Sequence, residues 1–251
     1  MKTIDVNACF GHWPYWDLPH KSCEELIKSM DKCGIHQAVV ISLRGMLLDW
    51  RAGNDETLQE TQRFPDRLIP SATISPFMGG NATEFQKLAD QRFRVLRLYP
   101  SFHSYQLDSD FTDEICQAAS QCHMPIMIPT RPMMNWRFQP VPLTTIQQIV
   151  QRHPETSFII SGPNYLAEHQ ALARLMKQCS NVAYEISCMQ GFGAISALAK
   201  TVGFDRLLFG TGALLNYPAC NVAKLAHADL PADQKSAVAA DNAMRWLRLD
   251  H

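Results

Sequence analysis

Arg97 is the first residue in this chain that demands a chemical explanation. It lies inside the apolar run Val95-Leu96-Arg97-Leu98-Tyr99, three positions before Pro100. An unpaired guanidinium in such a run would be very costly to bury, so it must meet a carboxylate, a carbonyl or an anionic ligand. Two readings stay open. Arg97 could clamp an anionic substrate, with Tyr99 sharing its orientation, or it could form an internal ion pair with Asp5 or Glu185. Glu185 sits near the end of another apolar run, where desolvation or a cationic neighbour would set its pKa. It could act as a general base, or it could simply neutralise Arg97.

Other polar groups cluster where apolar runs end. His12 and His103 follow the first and fourth runs and are the imidazoles placed to move a proton, although a loop histidine taken alone is usually just solvated. Cys9 could be a nucleophile if His12, three residues on, lowered its pKa. No oxyanion device is visible beside it, and a small, partly buried thiol is the plainer reading. Asn7, Cys9, Arg97, Tyr99, Arg131 and Asn164 make up the candidate substrate-binding set, with His12, His103 and Glu185 as candidate acid–bases. His123 and His153 close helical segments, where the helix dipole favours a cation. Cys23, Cys116, Cys122 and Cys179 fall on helical stripes and read as core, and there is no C-x-x-C pair to support a zinc ribbon or a thioredoxin-like site.

The elements that must position these groups are legible as an alternation. The apolar runs are Thr3–Asn7, Gln37–Ser42, Leu68–Ile74, Val95–Tyr99, Pro125–Pro129, Ser157–Ser161, Val182–Ile186 and Leu207–Gly210. Amphipathic stretches separate them. Ser22 and Glu25 make a capping box, Cys23, Leu26, Ile27 and Met30 form one stripe, and Gly34 supplies the left-handed residue that ends that helix. Asn54 is expected to cap a second helix that Pro65 stops, and Ile146, Ile149 and Val150, then Leu172, Leu175 and Met176, mark two more. Eight strand-like runs, each followed by a helix, predict an α/β fold: a single-domain (β/α)8 TIM barrel spanning residues 1–251. A doubly wound open sheet is the alternative, disfavoured by the absence of a glycine-rich phosphate turn. In such a barrel, chemistry belongs at the C-terminal ends of the strands, where the candidate residues fall.

Composition narrows the partners. With 23 basic and 24 acidic side chains the formal net charge is -1, which leaves no basic excess for a nucleic-acid partner. No apolar run approaches the ~18 residues of a membrane span, and the amino terminus lacks the apolar core of a signal peptide. The expected setting is the cytoplasm, where the eight cysteines would be thiols rather than disulfides. The expected ligand is a small molecule, anionic if Arg97 or Arg131 anchors it. Trp13, Tyr15, Trp16, Trp50 and Trp136 could line its pocket or form a subunit interface, as in a homodimer, and the stretch from Arg131 to Trp136 reads as a lid or rim.

Several segments resemble the amidohydrolase-related barrels of the amidohydrolase 2 type, in the right order along nearly the whole chain. They are Ile4-Asp5-Val6-Asn7-Ala8-Cys9-Phe10-Gly11, Asn54-Asp55, Phe64-Pro65-Asp66-Arg67-Leu68-Ile69, Ser75-Pro76, Arg94 to Pro100, Arg152-His153-Pro154, Asp205 to Thr211, and Asp241 to Leu247. The resemblance implies a hydrolase or decarboxylase with a divalent metal at the barrel mouth. Its first strand would end in His-x-His, where this chain has Asn7 and Cys9. The histidines after its fifth and sixth strands correspond to Pro129-Thr130 and Ser161-Gly162, and its aspartate after the eighth to Gly212. A catalytic zinc normally takes three protein ligands, so the expectation is no metal and no other cofactor. Two functions follow: a metal-independent hydrolase or lyase acting on a small carboxylate, lactone or ester, or an inactive relative that binds a metabolite or protein partner at the mouth. A new metal site built from Cys9, His12 and His103 is a third.

Overall fold

The computed structural model describes residues 2–18, 21–133 and 139–249; Trp136 and the second half of the expected rim fall outside them. Eight strands follow the eight apolar runs: β1 (Ile4–Phe10), β2 (Gln37–Ser42), β3 (Leu68–Thr73), β4 (Val95–Arg97), β5 (Ile126–Pro129), β6 (Phe158–Ser161), β7 (Val182–Glu185) and β8 (Leu207–Leu208). They pair in chain order and in parallel. Closure falls to β1 and the chain after β8: the Val6 N–H donates to Phe209 O at 3.0 Å, and Ala8 bridges Ala213. Asp5 fastens the same seam, accepting from the Thr211 N–H at 2.9 Å and from the Thr211 hydroxyl. The result is the expected (β/α)8 barrel.

The helices are α1 (Cys23–Cys33), α2 (Leu43–Leu47), α3 (Trp50–Arg63), α4 (Ala82–Asp90), α5 (Asp110–Gln121), α6 (Leu143–Arg152), α7 (Leu166–Gln178), α8 (Ala194–Val202), α9 (Pro218–Ala226), α10 (Ala232–Ser236) and α11 (Asn242–Leu247). α1 carries its capping box and its left-handed Gly34 as read from the sequence. The second helix does not start at Asn54. Asp49 caps α3, and Asn54 lies buried within it, exchanging two 2.9 Å hydrogen bonds with the backbone of Thr73. Asn54 thus bonds like one more strand residue and clamps α3 to β3, a long-range role that overrides its local preference for a cap. β1 also runs three residues past its expected end, because pairing with Val40, Ile41 and Ser42 of β2 carries it to Phe10.

Inside the barrel the side chains stack in layers. The floor is apolar, with Val6, Val39, Val95, Met127, Ile159 and Leu208 meeting Ala243 and Leu247 of the C-terminal helix. Period-two alternation lifts Arg97, Ser161 and Glu185 into the layer above the floor, and Asn7, next to Val6 of the floor, joins them through the irregularity of β1 between Asp5 and Ala8; Cys9, Ile41 and Tyr99 lie further toward the mouth.

Candidate active site

The middle layer is a hydrogen-bonded chain across the barrel. Arg97 ends β4 and donates from Nη1 to Asn7 Oδ1 at 2.9 Å. The same Asn7 donates from Nδ2 to Glu185 Oε2 at 2.9 Å. Glu185 also accepts from the Ser187 hydroxyl at 2.8 Å and from the Ser187 N–H at 2.5 Å. Arg97 also donates from Nη2 to backbone, to Val39 O at 2.9 Å and to Val6 O at 3.4 Å. Arg97 is 1% exposed and Glu185 0%, whereas Asn7 is half-buried and reaches toward solvent. The guanidinium thus meets Glu185 through an amide, and Asp5 is turned away to Thr211.

Burial decides the protonation of this layer. Desolvation pushes the Glu185 carboxyl up to about 7 against the bonds from Ser187 and Asn7, so it titrates near neutrality. Asp5 is likewise raised by burial, offset in part by Thr211, Asn7 and the positive field of Arg97. Over Arg97 lies an apolar plug of Cys9, Trp13, Leu18, Ile41, Leu43 and Tyr99. Desolvation there pushes the Cys9 thiol up to about 11, which removes the thiolate a nucleophile requires, and it raises the Tyr99 phenol too.

Beside the plug is a cavity of about 360 Å³ lined by Tyr15, Tyr99, Phe102, Thr130, Arg131 and Gln139, among others. Arg131 is no free anchor within it. Its guanidinium holds Glu168 through two bonds, at 2.8 and 2.5 Å, and donates to Gly162 O at 3.1 Å. Asn164 is equally engaged, donating from its side chain to Cys188 O and from its N–H to Glu168, at 2.8 Å each. His103 is half-buried with Nε2 on Gly45 O at 3.0 Å, and burial lowers its pKa. His12 is exposed on the β1–α1 connection. The structure therefore brings Asn7, Arg97, Glu185 and Tyr99 together and leaves both histidines outside the chain that links them.

Sequence reading missed Lys224 on α9. Its ammonium, lowered to about 8 by desolvation, donates to Ile186 O, Ser187 O and Met189 O at 2.7, 2.9 and 2.8 Å. It holds the turn that carries Ser187 to Glu185. The available signal was a lysine three residues after Asn221 on a largely apolar helix, where Asn221 is buried and Lys224 half-buried. The loop aromatics divide. Trp13 and Trp50 are buried, whereas Tyr15, Trp16, Phe77, Tyr165, Phe192 and Tyr217 stand exposed on the connections around the mouth.

A divalent cation of the kind the resemblance implies does not fit these residues. Among the described residues, no three His, Cys, Asp or Glu side chains gather where they could hold a metal ion. The groups at the relevant strand ends are an amide, a protonated thiol, hydroxyls and glycine, and a guanidinium already lies against Asn7. That cation would repel a second one. Among the described residues, no helix is long and apolar enough to cross a membrane.

Comparison with known proteins gives the scaffold a context. The sequence profile of the amidohydrolase family matches residues 49–249. A comparison with curated proteins finds no match. Among solved structures, similarity extends to the 5-carboxyvanillate decarboxylase of Novosphingobium aromaticivorans, complexed with manganese and 4-hydroxy-3-methoxy-5-nitrobenzoic acid. It has a TM-score of 0.79 and 17% identity over 98% of this chain and 96% of that one. The 5-carboxyvanillate decarboxylase of Sphingomonas paucimobilis gives 0.77 and 15% over 98% and 99%. The 2,6-dihydroxybenzoate decarboxylase of Rhizobium gives 0.76 and 13% over 100% and 99%. At these identities the likeness is one of fold.

Proposed function

This chain belongs to the amidohydrolase family, and from that premise we propose that it is a metal-independent hydrolase or lyase acting on a small carboxylate, lactone or ester. The observation that carries this reading is Glu185, buried in the barrel with its carboxyl at about 7 and joined through Asn7 to Arg97. A group that titrates at neutral pH can deliver and recover a proton, and a fixed cation one amide away can stabilise negative charge that develops beside it. Asn7, the half-buried member of the chain, is where a substrate meets this pair. The decarboxylases that share the fold are named for 5-carboxyvanillate and 2,6-dihydroxybenzoate, which supports a carboxylate as ligand.

In this reading Glu185 is the acid–base, Arg97 the electrostatic partner, and Ser187 and Asn7 orient the carboxyl. The test is a panel of carboxylates, lactones and esters assayed with and without chelator. Chelator-resistant turnover is expected, reduced about 100-fold or more in Glu185→Gln. Turnover that chelator abolishes and manganese restores would overturn it.

A second reading is favoured by one observation: Arg97 and Glu185 are almost wholly buried, with the Cys9–Ile41–Tyr99 layer above them. A relative that binds a metabolite in the adjoining cavity without turning it over would need no access to Glu185. Saturable binding with no turnover across the panel would select this alternative.

A further inference from the structure

The nine exposed large apolar side chains among the described residues all stand at one end of the barrel. They lie on the segments that leave the C-terminal ends of β1, β2, β3, β6, β7 and β8, and none of them is on an outer helix face or at the opposite end. Single exposed apolar residues are ordinary on a protein surface, but scattering would not confine them to one end.

Four of them share one sector. Tyr165 and Leu166 follow β6, Phe192 follows β7 and Tyr217 follows β8, and each is at least 61% exposed. β6 pairs with β7, β7 pairs with β8, and α7 packs on α8, so the three connections are neighbours. They are also uncharged. Ser161 to Ala167, Ile186 to Ala199 and Phe209 to Ala223 contain no Asp, Glu, Lys, Arg or His. Connections elsewhere on the mouth carry charge, with Asp17 and Lys21 after β1 and Arg44 and Asp49 after β2.

Charge and area together select the occupant. An anionic membrane surface is gripped by basic side chains beside the apolar ones, and this sector has none. A charged protein partner would find no complementary charge here. A second copy has the opposite requirement. Across a two-fold axis the sector faces itself, so any charge near the axis would meet its own like. An uncharged sector meets that condition, and tyrosine and phenylalanine are the side chains that interface cores favour. At ~200 Å² for a fully exposed large side chain, the four present roughly 650 Å². That exceeds the apolar patch of a typical monomer, about 300–600 Å², and approaches the ~800 Å² per partner of a stable interface. The small residues between them supply the remainder.

We propose that the β6–α7, β7–α8 and β8–α9 connections form a two-fold interface with a second copy of this chain. The inference is independent of the proposed activity, since oligomeric state tests it without a substrate.

Sedimentation velocity of the full chain between about 1 and 50 μM is expected to show a monomer–dimer equilibrium with dimer dominant at the upper end. Phe192→Asp and Tyr217→Asp each set two like charges against one another across the axis, and each should raise the dimer Kd roughly 30-fold or more. Both positions are exposed, so circular dichroism should match the parent. Phe77→Asp, on the connection after β3 and across the mouth, should leave the dimer intact. A parent that stays monomeric at the highest concentration overturns the proposal. So does a dimer that both sector variants leave intact, or one that Phe77→Asp dissociates as strongly. A monomer that sediments with phosphatidylcholine vesicles also overturns it and assigns the sector to lipid. The two sector substitutions are independent, so if one variant fails to fold the other decides.

Discussion

Gly210 lies so close to Glu185 that a Cβ at position 210 would overlap the carboxylate oxygen Oε1. The absence of a side chain on the strand-eight end is what lets the carboxyl lie inside the barrel and reach Asn7. Gly210→Ala should therefore overpack the middle layer. The expected cost is ~1–3 kcal/mol. At about 2–4 °C per kcal/mol for a chain of this size, the melting temperature should fall by roughly 2–12 °C. A variant that melts like the parent would show that Glu185 has room to move, contrary to the packing described.

The raised carboxyl of Glu185 gives stability a direction with pH. Its folded pKa of about 7 lies above the model-compound value of 4.5, so the native state holds the proton more tightly than the unfolded chain. This contribution is fully present below about 4.5 and is lost as pH rises through about 7. Glu185→Gln removes the titration. Chemical denaturation of both proteins between pH 4.5 and 8 should show the parent losing stability relative to the variant as pH rises. A constant difference would mean that Glu185 is not protonated near neutrality.

The barrel was legible because its signals are local: apolar runs of strand length, capping residues and helical stripes each declare themselves within a few positions. The site was legible only as a set of residue types. Arg97 and Glu185 were recognisable as charges in apolar strands, but their link runs through Asn7, 90 residues from one and 178 from the other. No local pattern encodes such pairings. Asn54 shows the converse error, since a residue type that usually caps a helix is used here to bond Thr73 across to a strand.

Arg131 and Glu168 make the complementary acid-side prediction. Burial works against the Glu168 carboxylate, but the bonds from Arg131 and from the N–H groups of Asn164 and Tyr165 outweigh it and bring the pKa to about 2. A depressed folded pKa contributes stability above the model-compound value of 4.5 that is lost as pH falls toward 2. Glu168→Gln should destabilise the protein by ~1–3 kcal/mol at neutral pH. The gap between parent and variant should narrow from pH 6 to pH 3, as read by denaturant midpoints. A gap that stays constant would assign the effect to shape rather than charge.

Lys224 makes a further prediction about how Glu185 is held. Its three N–H donors cap the carbonyls of Ile186, Ser187 and Met189, and Ser187 in turn gives Glu185 two of its hydrogen bonds. Lys224→Met keeps a chain of similar length but leaves three carbonyls on a partly buried turn without their partner. Unmade hydrogen bonds of this kind cost about 1–3 kcal/mol each where no water replaces the donor. Water can reach part of this turn, so a total of roughly 2–4 kcal/mol is expected. Amide hydrogen exchange separates this from general destabilisation: protection should fall at Ile186–Met189 before it falls on the floor of the barrel. The Glu185 pKa should also rise, because a relaxed turn withdraws the Ser187 donors that favour the carboxylate and the variant removes a nearby positive charge. If exchange increases uniformly and the carboxyl titrates as before, Lys224 serves only the packing of its helix, and Glu185 is held by Asn7 and the strand itself.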